Sequence, residues 1–161
     1  MQARETEYLG VKYRSKTEAM FALAMNTHYQ KKGQRIRLLY EVEKYKTPCG
    51  YIPDFELSYI SEPFLCDFTT LIEIKPNIPT QSYLDYLFKQ FQWLRSKDYF
   101  HSITWYSLYI FNPYDRLFFS ILFDVFDNTR PIIDDLERPE WFNDILFDIA
   151  LKYRFDLEPD F

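Results

Sequence analysis

The amino-acid sequence predicts an α/β fold, with helices packed against a mixed sheet. Three observations lead there. Segments with helical and strand-like apolar spacing alternate along the chain instead of segregating into separate blocks. Apolar residues make up 47% and aromatic residues 20% of the 161 positions, enough to bury the core of one domain. Glycines number three, which leaves little room for flexible connections.

The elements follow in order. Ser15, with Glu18 three residues on, has the capping-box pattern of a helix start. The helix then crosses the apolar stretch Ala19–Met25 and stops near Gly33. So few polar positions predict burial on most sides. Ile36–Tyr45 reads as a strand and Pro48-Cys49-Gly50 as the turn after it. A second strand is expected over Tyr51–Tyr59, with Pro53 near its start or on an edge. After the break at Ser61-Glu62-Pro63, a third strand ends in Leu71-Ile72-Glu73-Ile74-Lys75. Pro76 to Pro79 is a loop. Thr80 can cap a helix reaching about Lys97, with Tyr83, Leu84, Leu87, Phe88, Phe91 and Leu94 at helical spacing. Ile103–Phe111 and Leu117–Phe126 read as strands separated by the turn Asn112–Asp115. Asn128 to Pro131 breaks the chain, and a last helix runs from about Pro139 to Tyr153. Neither internal repeats nor low-complexity segments interrupt this order.

Charge is unevenly placed. The net charge is −5. Residues 1–50 hold ten Lys/Arg against five Asp/Glu, residues 51–111 four against seven, and residues 112–161 five against twelve. A basic first third suits a polyanion, and an acidic last third suits a solvated surface or a partner. Cys49 and Cys66 have no zinc-type spacing and read as reduced thiols of a cytoplasmic protein. The opening MQARETEYLG lacks the apolar core of a signal peptide, and no apolar run reaches membrane-spanning length.

The chemistry is carried by carboxylates and a lysine. Strand residues two apart share a face, so Glu73 and Lys75 project together while Ile72 and Ile74 face the other way. Asp54, near the start of the preceding strand, can reach the same pocket. The Ile74 carbonyl offers a further oxygen. Carboxylates of this kind hold divalent cations, and a lysine beside them can orient water or stabilise growing phosphate charge. Each piece alone is common; their order and spacing together carry the signal.

Pro53-Asp54 and Glu73-Ile74-Lys75 resemble the signature of the PD-(D/E)XK phosphodiesterase superfamily. Upstream, Tyr8-x-Gly10-x-x-Tyr13-Arg14-Ser15-Lys16-x-Glu18-Ala19 is similar to the opening of small phage and bacterial members. The layout also resembles the endonuclease subunit of heteromeric transposases, and the match covers about residues 8–97. The resemblance implies a restriction-endonuclease-like core over residues 1–111 (helix, three strands, helix, strand), with 112–161 an acidic strand-helix extension. It implies a cytoplasmic, Mg²⁺-dependent endodeoxyribonuclease, with Mn²⁺ able to substitute. Asp54, Glu73, Glu18 and the Ile74 carbonyl would be metal ligands, and Lys75 the catalytic lysine. For Glu18 a second reading stands beside this one: its carboxylate can return to Ser15 in the capping box. Lys12, Arg14 and Lys16 are expected at DNA phosphates, and Gln81 near the scissile phosphate. Gln81 and Tyr86 sit one residue further apart than in RecB-like exonucleases, so that family's role is not carried over. Glu41, on the first strand, is a second candidate for an acidic ligand, but the preferred expectation is an exposed strand carboxylate beside Glu43, which shares its alternation face. His28 and His101 are isolated from any nucleophile. DNA is the expected partner, with a homodimer or partner subunit joining through residues 112–161. The rival expectation is a catalytically silent binding protein on the same fold, or one nuclease subunit of a larger transposition or defence complex.

Overall fold

The computed structural model describes residues 5–33, 35–60, 68–75, 79–97, 103–111, 117–124, 132–137 and 140–153. Its elements are β1 (Thr6–Tyr8), β2 (Val11–Tyr13), α1 (Lys16–Lys31), β3 (Arg35–Tyr40), a 3-10 turn (Glu43–Tyr45), β4 (Phe55–Ile60), β5 (Phe68–Lys75), α2 (Gln81–Arg95), β6 (Ile103–Phe111), β7 (Leu117–Asp124), β8 (Ile132–Glu137) and α3 (Glu140–Tyr153). The architecture is α/β. β1 and β2 form a separate hairpin, and β3 to β8 form a six-stranded sheet in sequential order.

Within that sheet β3–β4, β4–β5, β6–β7 and β7–β8 pair antiparallel, whereas β5 and β6 run parallel. A parallel pair needs a long crossover, and α2 supplies it. Two apolar clusters lie on opposite faces, as the alternation along β4 and β5 requires. Phe55, Leu57, Ile72 and Ile74 face α1 (Ala19–Ala24) and α3 (Phe142, Ile145, Leu146, Ile149). Leu71 faces α2, where it joins Leu87, Phe91, Leu94, Tyr45 and Tyr51. The sheet is therefore covered by α1 and α3 on one face and by α2 on the other.

Helix starts follow the capping logic of the sequence. Ser15 Oγ accepts the Glu18 N–H at 3.2 Å, and Thr80 Oγ1 accepts the Tyr83 N–H at 3.3 Å. Strand boundaries differ more. β3 ends at Tyr40 rather than Tyr45, because Glu41 takes a positive φ of 45° and turns the chain. β4 begins at Phe55 rather than Tyr51, since Pro53 has no N–H to give the ladder. The β1–β2 hairpin, the 3-10 turn and β8 were not foreseen. The hairpin is only three residues a side, and Asp134-Asp135 breaks apolar alternation in β8. Among the described residues, the chain after residue 112 adds two strands and a helix, and both strands extend the main sheet. His101 and Cys66 lie outside the described residues. Among those described, no helix is long and apolar enough to cross a membrane.

Candidate functional site

Asp54 ties three strand ends together. Its Oδ2 accepts the Ile74 N–H at 2.7 Å, and its carbonyl accepts the Glu41 N–H at 2.9 Å. The side chain thereby adds a rung beyond the last β4–β5 register pair, Phe55–Ile72. With 1% exposure it is almost fully withdrawn from water.

Glu73 and Lys75 emerge from β5 on the α2 face. Glu73 is also buried; its Oε2 accepts the Tyr51 hydroxyl at 3.0 Å and its Oε1 the Tyr83 hydroxyl at 3.3 Å. Lys75 Nζ lies 3.3 Å from the same Oε1 and 4.7 Å from the centre of the Tyr83 ring. Tyr83 reaches this point because it sits in the first turn of α2, eight residues after Lys75 in the chain.

From the other layer, α1 contributes Glu18. Its backbone N–H completes half of the capping box, while its carboxylate turns away from Ser15: Oε2 accepts the Tyr40 hydroxyl at 2.8 Å. Arg14, between the hairpin and α1, binds the group together. Its Nη2 is 2.7 Å from Asp54 Oδ1 and 3.7 Å from Glu18 Oε1, and its Nε is 2.6 Å from Glu41 Oε1.

Burial shifts two of these acids, Asp54 and Glu73. Desolvation, followed by the charges of Glu73 and Glu18, holds the Asp54 carboxyl well above the ordinary range, against the Ile74 N–H and Arg14. Burial also raises Glu73, opposed by Lys75, Tyr51 and Arg14. For Lys75, burial works against the charge, but Glu73 and Tyr83 outweigh it and push its pKa up to about 12. Lys75 is therefore an ammonium cation at neutral pH, suited to stabilising negative charge and unsuited to taking a proton.

The structure brings Asp54, Glu73, Lys75 and Glu18 into one neighbourhood at the end of the sheet where β3, β4 and β5 meet the starts of α1 and α2. Arg14 is there too, engaged with carboxylates rather than projecting freely. Lys12 is exposed on β2, and Lys16 is half-buried at the first turn of α1. Gln81 donates to Asp85 Oδ1 at 3.0 Å along α2 and does not join the group. Tyr86 points instead to Cys49, with 3.6 Å between its hydroxyl and Sγ. Glu41, for which an exposed surface carboxylate was preferred over an acidic ligand, joins the cluster through Arg14. Its positive φ aims the chain into the site, and no periodicity in the sequence signals that turn.

Glu56 is a second buried acid on the Asp54 face of β4. It pairs with Arg37 at 3.2 Å and Lys44 at 3.9 Å, and its Oε2 has no hydrogen-bond partner. Among the described residues, no three or more His, Cys, Asp or Glu side chains close on one point as a ready-made metal cluster. The carboxylates are instead shared out among Arg14, Lys75 and three tyrosines. Compared with protein-family models, curated proteins and solved structures, the chain matches none.

Proposed function

We propose that the chain is a divalent-metal-dependent deoxyribonuclease of the PD-(D/E)XK type, built on a restriction-endonuclease-like core. The observation that carries this reading is the convergence of Asp54, Glu73 and Lys75 at one strand end, with both carboxylates buried and the lysine charged. Burying two acids side by side is costly unless a cation joins them. The donor set fits a hard cation such as Mg²⁺, which takes one or two carboxylates and keeps several waters. Asp54 and Glu73 would hold it. The Ile74 carbonyl lies on the β4 side of β5, as its N–H does, because one strand residue presents both groups to the same neighbour. Glu18, which shares Arg14 Nη2 with Asp54, would be a further ligand.

A bound divalent cation supplies charge neutralisation and an acidified water. The chain's own residues do the rest. Lys75, held by Glu73 and the Tyr83 ring, places a fixed positive charge where a phosphate accumulates negative charge. Tyr51 and Tyr83 fix the Glu73 carboxylate by donating to both oxygens. The starts of α1 and α2 at this end add partial positive charge. DNA as substrate, cytoplasmic action and pairing of copies through residues 112–161 belong to the same proposal.

The test is incubation of wild type, Lys75→Ala and Asp54→Ala with linear, supercoiled, single-stranded and branched DNA in Mg²⁺, Mn²⁺ or EDTA. Cleavage is expected with metal only, and is expected to fall by at least about a hundredfold in both variants, as removal of a charge-stabilising group does. Undiminished cleavage by either variant would sink the assignment. One observation favours a second reading, a non-catalytic binding protein: Arg14 already neutralises Asp54 without a metal. DNA binding without cleavage on every substrate, together with silent metal calorimetry, would select it.

A further inference from the structure

Arg14 is unusual in making three carboxylate contacts from an exposed position. Its side chain is 61% exposed, whereas that of Asp54 is 1% and that of Glu18 is 9% exposed. The guanidinium lies between two acids that the metal-dependent reading assigns to a divalent cation. One atom, Nη2, serves both. Nε goes to Glu41 on the rim, and the Tyr40 hydroxyl accepts both the Arg14 backbone N–H at 3.0 Å and Nε at 3.4 Å.

We propose that Arg14 is a displaceable counter-ion that holds the cation's place at Asp54 and Glu18 in the metal-free protein. Guanidinium and divalent cation compete for Asp54 Oδ1, so binding one weakens the other by the same factor. Glu41 is the positioning residue of this exchange. It grips Nε, not Nη2, and so can retain the guanidinium on the rim when Asp54 is given up. Its backbone is in the left-handed region, where a non-glycine residue is rarely found, and the Asp54 carbonyl accepts its N–H. A retained, exposed guanidinium next to the metal ligands is placed to fork onto a phosphodiester. The exchange keeps the buried acids neutralised in both states, and it couples metal occupancy to presentation of a phosphate-binding group.

This proposal rests on the metal-dependent reading, and calorimetry with Mn²⁺ alone separates the two. Wild type, Arg14→Gln, Glu41→Gln and Asp54→Asn are titrated in the absence of DNA. Arg14→Gln is expected to bind Mn²⁺ about tenfold or more tightly, the scale of one lost charge-assisted hydrogen bond. Glu41→Gln is expected to weaken binding by a smaller factor, because the displaced guanidinium loses its anchor on the rim, and Asp54→Asn to abolish it. Thermal unfolding gives a second readout: Mn²⁺ should raise the Tm of Arg14→Gln more than that of wild type. Equal or weaker Mn²⁺ affinity in Arg14→Gln, or tighter binding in Glu41→Gln, would overturn the exchange while leaving the metal site standing. Absence of Mn²⁺ binding in all four proteins would overturn the metal-dependent reading itself.

Discussion

Leu9 sits at the tip of the β1–β2 hairpin with φ 49°, followed by Gly10 at φ 80°. Two positive φ values suit the primed turns that close two-residue hairpins, where Asn-Gly or Gly-Gly is usual. A leucine there costs about 1–2 kcal/mol of backbone strain, and its side chain, 76% exposed, recovers little by burial. Leu9→Gly should therefore raise stability by about 1 kcal/mol, seen as a higher urea midpoint at unchanged slope. Arg37→Ala should do the opposite. It leaves buried Glu56 with only the distant Lys44, and a loss of about 2 kcal/mol is expected in the same measurement. The site itself was half legible at this scale. Asp54, Glu73 and Lys75 could be found because strand alternation converts spacing into direction. Arg14, Glu41, Tyr40 and Tyr83 could not be assigned their contacts, because these are set by a left-handed turn and by which helix covers which face. Such facts are tertiary and leave no periodic trace.

At the scale of elements, α1 and α3 meet where His28 stacks on Trp141, with ring centroids 3.5 Å apart and 15° between planes. Burial, with a smaller push from Lys32, lowers the His28 pKa below its usual 6.5. The unfolded chain then binds a proton more readily than the folded one. The contribution to stability is complete above about pH 6.5 and is lost as pH falls from there toward the folded value. Wild type should lose more stability than His28→Phe between about pH 7 and pH 5, measured by urea unfolding at each pH. Helices were the most legible elements: Ser15 and Thr80 cap them where the sequence indicated. Strand ends were less so, since a positive φ at Glu41 and a missing N–H at Pro53 override apolar patterning. The β1–β2 hairpin and β8 escaped notice for their brevity and their paired aspartates.

At the scale of the whole molecule, the sheet is shared by two apolar clusters, one under α1 and α3 and the other under α2. Damage on one face should therefore be felt on the other. Phe91→Ala, which empties a fully buried position in the α2 cluster, is expected to cost about 3–5 kcal/mol and to lower the unfolding temperature of both faces together. Alternation of helix and strand was enough to foresee the α/β class. Which helix lay on which face was not, because that depends on the crossover between β5 and β6.

The layering has an optical consequence. The three tryptophans fall one to each layer: Trp93 on α2, Trp105 on β6 and Trp141 on α3. Replacing two at a time with phenylalanine leaves a single emitter per layer, and near-ultraviolet excitation then follows each separately. Trp141 carries extra information, because its stack on His28 brings a titrating ring against the indole face and ties its emission to the α1–α3 contact. Coincident emission shifts from all three variants would show one cooperative unit. An early shift at Trp141 would show α3 leaving first, with the sheet and its carboxylates still in place.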